Sequence, residues 1–405
     1  MIARTWSKLK ELSPEVKNML GSYYVYELAE QIMVVFMGIF VYTETKSLFF
    51  LAVYFFIYFT AILIGFSGWG LVMVRFALNM KWNHLHAFAI YILAFIWFWF
   101  FRTEPWHLLV FGSLNGLALG MFWLGHHSFE MLHTKDKSRD FYSSILGAGT
   151  HVTAIVGPLI ATASFFLSEL WFGDPLTLIF FLLPTVFLLA VPFLWNLPNF
   201  VPKKISSKQW EFIRKDELVR EASRFAFAES IGWGAWEIMA PLIMVTALET
   251  YINVGLFDTL LGVLAIVIVM VQGHLQNHGN RKRIFHVCAA LMVLYYLGLF
   301  FWTLSPCVYI LLGLFWVPIE AIYGTVFHVV SLKNIDQMRG EQGRFFAGLL
   351  YREWIIYLGR ILSILVIGSA AFFLKNDILT TYVAISWLIM QNALTVWTLE
   401  KVLRD

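Results

Sequence analysis

Apolar stretches of about twenty residues alternate with short polar breaks along this chain, and the alternation occurs twelve times. A helix of that length spans the hydrocarbon core of a bilayer, so each run predicts one crossing. In the first half the runs are roughly Gly21 to Tyr42, Ser47 to Val74, Leu85 to Phe101, Trp106 to Met131, Phe141 to Leu167 and Leu176 to Leu197. In the second they are roughly Phe225 to Leu248, Val254 to Gln272, Ile284 to Thr303, Val308 to Val330, Phe345 to Leu374 and Ile378 to Leu399. The pattern predicts an all-α membrane protein of twelve transmembrane helices.

The basic residues test that count, because Lys and Arg collect in cytoplasmic loops. With the N-terminus inside, 24 of the 29 fall on the cytoplasmic side and only Lys46, Arg102 and Lys375 on the other, while Arg352 and Arg360 lie within a span. A miscounted helix would scramble this alternation. Both termini are therefore expected in the cytoplasm, with the chain in the cytoplasmic (inner) membrane. Composition agrees: 60% hydrophobic and 14% charged residues cannot cover a soluble globule of 405 residues. The net charge of +3 follows from the loop asymmetry and gives no reason to invoke nucleic acid. Cys288 and Cys307 belong to no metal or redox spacing, so two ordinary thiols are expected, with no metal and no cofactor. The N-terminus lacks a cleavable signal pattern, and Ile2, Trp6, Leu9 and Leu12 suit a short helix on the membrane surface.

The segment 198–223 is the one long connection rich in both charge signs. It separates a first bundle, 1–197, from a second, 224–405, and Trp210, Ile213 and Val219 suggest a surface helix within it. The halves read as copies. Tyr26 to Ile32 is echoed by Phe225 to Ile231, which aligns Glu30 with Glu229. Gly70 matches Gly273, Gly120 matches Gly324, and Phe141-Tyr142 with Leu146 match Phe345-Phe346 with Leu350, all in one order.

Charged side chains inside the runs carry the chemistry. A carboxylate at bilayer depth costs about 2.5 to 3.5 kcal/mol on insertion scales, so it marks a pathway, a proton site or an ion pair. Glu30, His151, Glu229, Glu237, Glu320, Arg352 and Glu353 are the candidate substrate- and proton-binding residues. A buried carboxyl can load and release a proton, and an arginine can hold an anion through two parallel hydrogen bonds. Glu30 ranks first, with Glu229 expected to face the same cavity from the other bundle. Glu320 follows Pro318 in a breakable helix segment. Arg352 and Glu353 read equally as a packing ion pair. Glu27 and Arg360 read as near helix ends, and Asp258 as wet. Trp233 and Trp236 are candidates for stacking on a solute. Arg75, Glu130, Arg139 and Arg281 are candidate gating residues, Glu130 pairing with Arg75 or Arg139. The face His126, Glu130, His133 is a metal site only in a less favoured reading.

Twelve spans, a six-plus-six repeat and a basic central loop resemble the major facilitator superfamily over essentially the whole chain. The stretch Gly273 to Arg283 is similar to that family's Gly-rich basic loop, with Asn277 where the acidic residue usually stands. Gly157-Pro158 resembles the Gly-Pro motif frequent in its antiporters, and equally suits a simple packing kink. The family's intramembrane arginine in the fourth span has no counterpart. The resemblance implies two pseudo-symmetric six-helix bundles and a secondary active transporter, monomeric, that moves a small solute by alternating access, with proton coupling through Glu30, Glu229 or Glu320. The alternatives are a non-transporting sensor or lipid scramblase on the same scaffold, and a membrane metal enzyme. No GxxxxGK[ST] loop is present, so ATP hydrolysis is not expected.

Overall fold

A computed structural model of the chain describes the backbone of residues 12–34, 36–101, 104–133, 136–275, 281–301, 305–337 and 342–402. The surface helix expected over Ile2 to Leu12 and the centre of the loop from Gly273 to Arg283 lie outside the described residues. Twelve helices are long and apolar enough to cross a membrane, and no strand occurs among the described residues.

Span 1 consists of Pro14–Val34 and Met37–Thr45. Span 2 runs through Leu48–Leu63, a π turn at Ile64–Gly68, and Trp69–Phe76. Spans 3, 4 and 5 are Met80–Phe101, Pro105–His133 and Asp136–Phe172, and span 6 is Thr177–Leu188 followed by Val191–Trp195. A linker helix, Ser207–Lys215, comes next. Spans 7 to 12 are Glu217–Leu248, Tyr251–Leu275, Arg281–Leu299, Pro306–Gln337, Gln342–Leu374 and Asp377–Val402. Several overrun their apolar runs. Spans 5, 7 and 10 extend into charged sequence because Glu, Lys, Arg and Gln are good helix formers and carry a helix on into water. Span 10 runs through Pro318 as one helix, so the breakable segment before Glu320 is helical here.

The linker helix lies on the face where span 1 begins and span 12 ends, here the linker face; the other is the far face. Four tight turns on the far face repeat one design. Lys46, Gly173, Glu249 and Lys375 each adopt positive φ, which ends the helix before them. The next residue, Ser47, Asp174, Thr250 or Asn376, then accepts a backbone N–H of the following helix, at 3.2, 3.3, 3.1 and 3.0 Å. The turn between spans 1 and 2 thus matches that between 7 and 8, and the turn between 5 and 6 matches that between 11 and 12.

Within the first half, span 4 packs along spans 2 and 3, and span 1 along spans 5 and 6. Gly112, Gly116 and Gly120, one turn apart, form a groove in span 4; Cβ atoms there would lie 2.7, 2.2 and 2.2 Å from Tyr54, the Tyr58 carbonyl and the Ile62 carbonyl of span 2. In the second half span 7 packs on spans 11 and 12, and span 10 on spans 8 and 9. The halves meet along two seams, span 2 with span 11 and span 5 with span 8. Span 1 reaches span 7 through its outer piece, Met37–Thr45. The linker helix lies under span 11, with the Arg344 guanidinium 3.9 Å from the centre of the Phe212 ring.

Candidate functional site

The groove in span 4 fixes Tyr54 and Tyr58 on span 2, and these hydroxyls surround the carboxyl of Glu30 on span 1 together with Tyr26 and Tyr91. Tyr26, one turn before Glu30, reaches it with its hydroxyl. Its Oε2 is buried without a hydrogen-bond partner. A carboxyl in that position has tyrosines as company and, among the described residues, no cation in contact, so its proton inventory, rather than an ion pair, decides its charge.

Across the seam from Glu30 stands Glu237 of span 7, the two carboxyls within electrostatic reach of one another. Glu237 in turn feels Arg360 of span 11. Arg360 is not near a helix end, as its sequence position suggested; it lies near the middle of a 33-residue helix. Its guanidinium carbon sits 4.7 Å from the Phe59 ring centre and 5.2 Å from that of Trp233, so a ring from each half flanks it. Nearby, Thr60 of span 2 and Tyr357 of span 11 place their hydroxyls 3.2 Å apart. Glu30, Glu237 and Arg360 therefore meet where the two bundles join.

Glu229 is placed elsewhere. It is buried, and the Tyr323 hydroxyl of span 10 donates to its Oε1 while Thr395 of span 12 reaches it too. Neighbouring bonds knit the same helices: Gln391 Nε2 donates to the Ala228 carbonyl at 3.0 Å and to Thr395 at 2.7 Å. The repeat partner of Glu30 thus turns into its own bundle, and Glu237, two turns further along span 7, takes the place opposite Glu30. Glu27 is no edge residue either. It is buried, and Gln31 Nε2 donates to its Oε1 at 3.0 Å.

The remaining candidates spread over the linker half. Arg352, half-buried, lies within electrostatic reach of Glu353, Arg360 and Glu130. Glu320 is exposed beside Trp316, Tyr295 and Tyr296. His151 is half-buried and makes no hydrogen bond or ion pair among the described residues. Glu130 lies 3.5 Å from His127, and Arg75 is exposed and turned towards the Phe76 ring. The side chains of Arg139, Arg281 and His133 lie outside the described residues. No group of metal-binding side chains occurs among the described residues. Trp236 stacks on Trp316, 6.2 Å between centres.

Gly157, next to Pro158 in span 5, packs against span 1. A Cβ there would lie 2.5 Å from the Gln31 Cβ and 3.0 Å from its backbone carbon, beside Glu30. The absence of a side chain at Gly157 permits this close packing at the site.

On the far face the halves are sealed. The Tyr42 hydroxyl of span 1 donates to Asp377 Oδ2 of span 12 at 2.7 Å. Phe49 meets Phe372 at 5.3 Å and Phe165 meets Tyr251 at 5.4 Å between ring centres.

A family model described as Major Facilitator Superfamily matches residues 19–351. Among solved structures, the chain is similar to the POT family transporter PepTSo, with TM-score 0.72 and 11% identity over 96% of this chain and 99% of that one. It is similar to the nucleoside transporter NupG, with TM-score 0.69 and 9% identity over 96% and 99%. It is also similar to a D-xylose-proton symporter, with TM-score 0.65 and 14% identity over 94% and 96%. At these identities the likeness is one of fold. No curated protein matches the sequence.

Proposed function

The chain belongs to the Major Facilitator Superfamily, and from that premise we propose that this transporter carries a small solute across the cytoplasmic membrane by alternating access, coupled to protons at Glu30. The observation that supports the coupling is the buried, tyrosine-lined carboxyl of Glu30, reached by the Tyr26 hydroxyl and with its Oε2 left without a hydrogen-bond partner, within electrostatic reach of Glu237 at the join between the halves. A group there changes surroundings when the halves rock, and a change in surroundings is what lets proton binding bias one conformation over another. The sealed far face is one end state of that motion; the other must break the Tyr42–Asp377 contact. Proton symport also occurs on this fold in the D-xylose-proton symporter.

The basic-residue asymmetry supports cytoplasmic termini, and the linker helix supports two rigid units, 1–197 and 224–405, joined by 198–223. The unit that moves is a monomer. Of the carboxylates first considered for coupling, Glu30 is favoured over Glu229, which is engaged inside its own bundle, and over Glu320, which is bonded by Trp316 of its own span. The test is solute uptake into proteoliposomes over a panel of small metabolites, with and without an imposed proton gradient. Uptake that the gradient drives supports the reading. Gradient-independent phospholipid flipping with no solute uptake overturns it in favour of a scramblase.

A further inference from the structure

We propose that Arg360 binds the anionic end of the transported solute, and that this solute is a small organic carboxylate carried together with a proton. The proposal rests on the transport reading above. A cation at the centre of a membrane helix normally finds a carboxylate or backbone carbonyls. Arg360 finds neither among the described residues. No ion pair within 4 Å includes it, and its Nε is buried with no acceptor. What it has instead is two rings within cation–π distance, Phe59 from the first half and Trp233 from the second. Ring contacts take up none of the guanidinium's N–H donors, so the edge that carries them stays open to a planar acceptor. A carboxylate fits that edge through two parallel hydrogen bonds, and the same rings offer an apolar wall to the rest of the solute.

The charges around the site link this binding to a proton. Glu237 is within reach of Arg360 without touching it, and the groups that face Glu237 are Glu30 of span 1, Tyr54 and Tyr58 of span 2, and Arg360 itself. An ionised Glu237 and an incoming carboxylate would compete for one cation. A proton shared by the neighbouring carboxyls of Glu30 and Glu237 removes the competition, and the site then takes up one negative and one positive charge and stays balanced. Arg352, on the linker side of Arg360 and within its reach, extends the positive path along span 11.

Binding can be tested without transport, on the purified full chain in detergent. Thermal unfolding is followed at pH 5.5 and 7.5 with acetate, lactate, benzoate and succinate, each compared with its amide, and with inorganic phosphate. At least one carboxylate is expected to raise the melting temperature, more at pH 5.5, with no effect of its amide. Arg360→Gln should weaken that binding about tenfold or more, the loss of a charge-assisted hydrogen bond. Glu237→Gln should keep the binding and lose its pH dependence. Should Arg360→Gln fail to fold, Arg360→Lys, which keeps the charge and loses the fork, replaces it and should also bind more weakly. The proposal is overturned if none of the four carboxylates protects, if phosphate alone protects, or if the arginine variant binds as wild type does. Carboxylate binding without any flux in vesicles would instead refute the transport reading and leave this site standing.

Discussion

Removing the Tyr42 hydroxyl should loosen the far-face seal by a predictable amount. Tyr42→Phe keeps the ring and deletes one hydrogen bond to the Asp377 carboxylate, 2.7 Å long and made between the two halves. Hydrogen bonds to charged groups contribute about 1.5 to 3 kcal/mol. Both residues are half-buried, so water compensates in part and the lower end applies. About 1.4 kcal/mol is tenfold in an equilibrium, so the ratio of closed to open far face should fall about tenfold. Spin labels at Glu44→Cys and Leu379→Cys, both exposed on the far face in opposite halves, read that ratio as a distance distribution, with Cys288 and Cys307 replaced by Ser. The long-distance population should grow in Tyr42→Phe. Asp377→Ala should match it, and the double variant should add little, since both delete the same bond. An unchanged distribution, or effects that simply add, would refute the reasoning.

Other consequences concern the second half. Gly359→Ala places a Cβ 2.0 Å from Ser230 Oγ and 2.6 Å from the Phe227 carbonyl, which wedges span 11 off span 7. The overpacking should cost about 1 to 3 kcal/mol, visible as a lower melting temperature, whereas Gly324→Ala, where a Cβ meets nothing within 4 Å, should cost none. Tyr323→Phe leaves buried Glu229 short of a donor, at a cost of about 1 to 3 kcal/mol. It should lower thermal stability and preserve gradient-driven uptake. Loss of coupling at unchanged stability would return Glu229 to the proton pathway.

The spans were legible because each needs about twenty apolar residues and because loop charge is independent of apolar length. The duplication is legible at Glu30 and Glu229, but it does not foretell that Glu229 is hydrogen-bonded within its own bundle. Sequence equivalence fixes position along a helix, whereas a side chain's direction depends on which neighbours offer donors, here Tyr323 and Thr395. Glu237 stood in the sequence as one buried acid among several; its place opposite Glu30 depends on how span 1 crosses span 7. Arg360 reads in the sequence as an edge residue, whereas its run, Phe345 to Leu374, and the helix Gln342–Leu374 place it centrally. Only the rings of Phe59 and Trp233, about 300 and 130 residues away in sequence, reveal how it is held. The turn at Phe36 in span 1 and the π turn at Ile64–Gly68 leave no mark in hydropathy, because both keep their apolar surface.

Glu30→Gln tests the central claim most directly, measured for one transported solute in two modes in the same proteoliposomes. Glutamine keeps the size and hydrogen-bonding capacity of a neutral carboxyl but cannot release a proton. Exchange of labelled for unlabelled solute, which needs no net proton movement, should continue in the variant, and accumulation driven by a proton gradient should be lost. Full gradient-driven accumulation in Glu30→Gln would contradict the account.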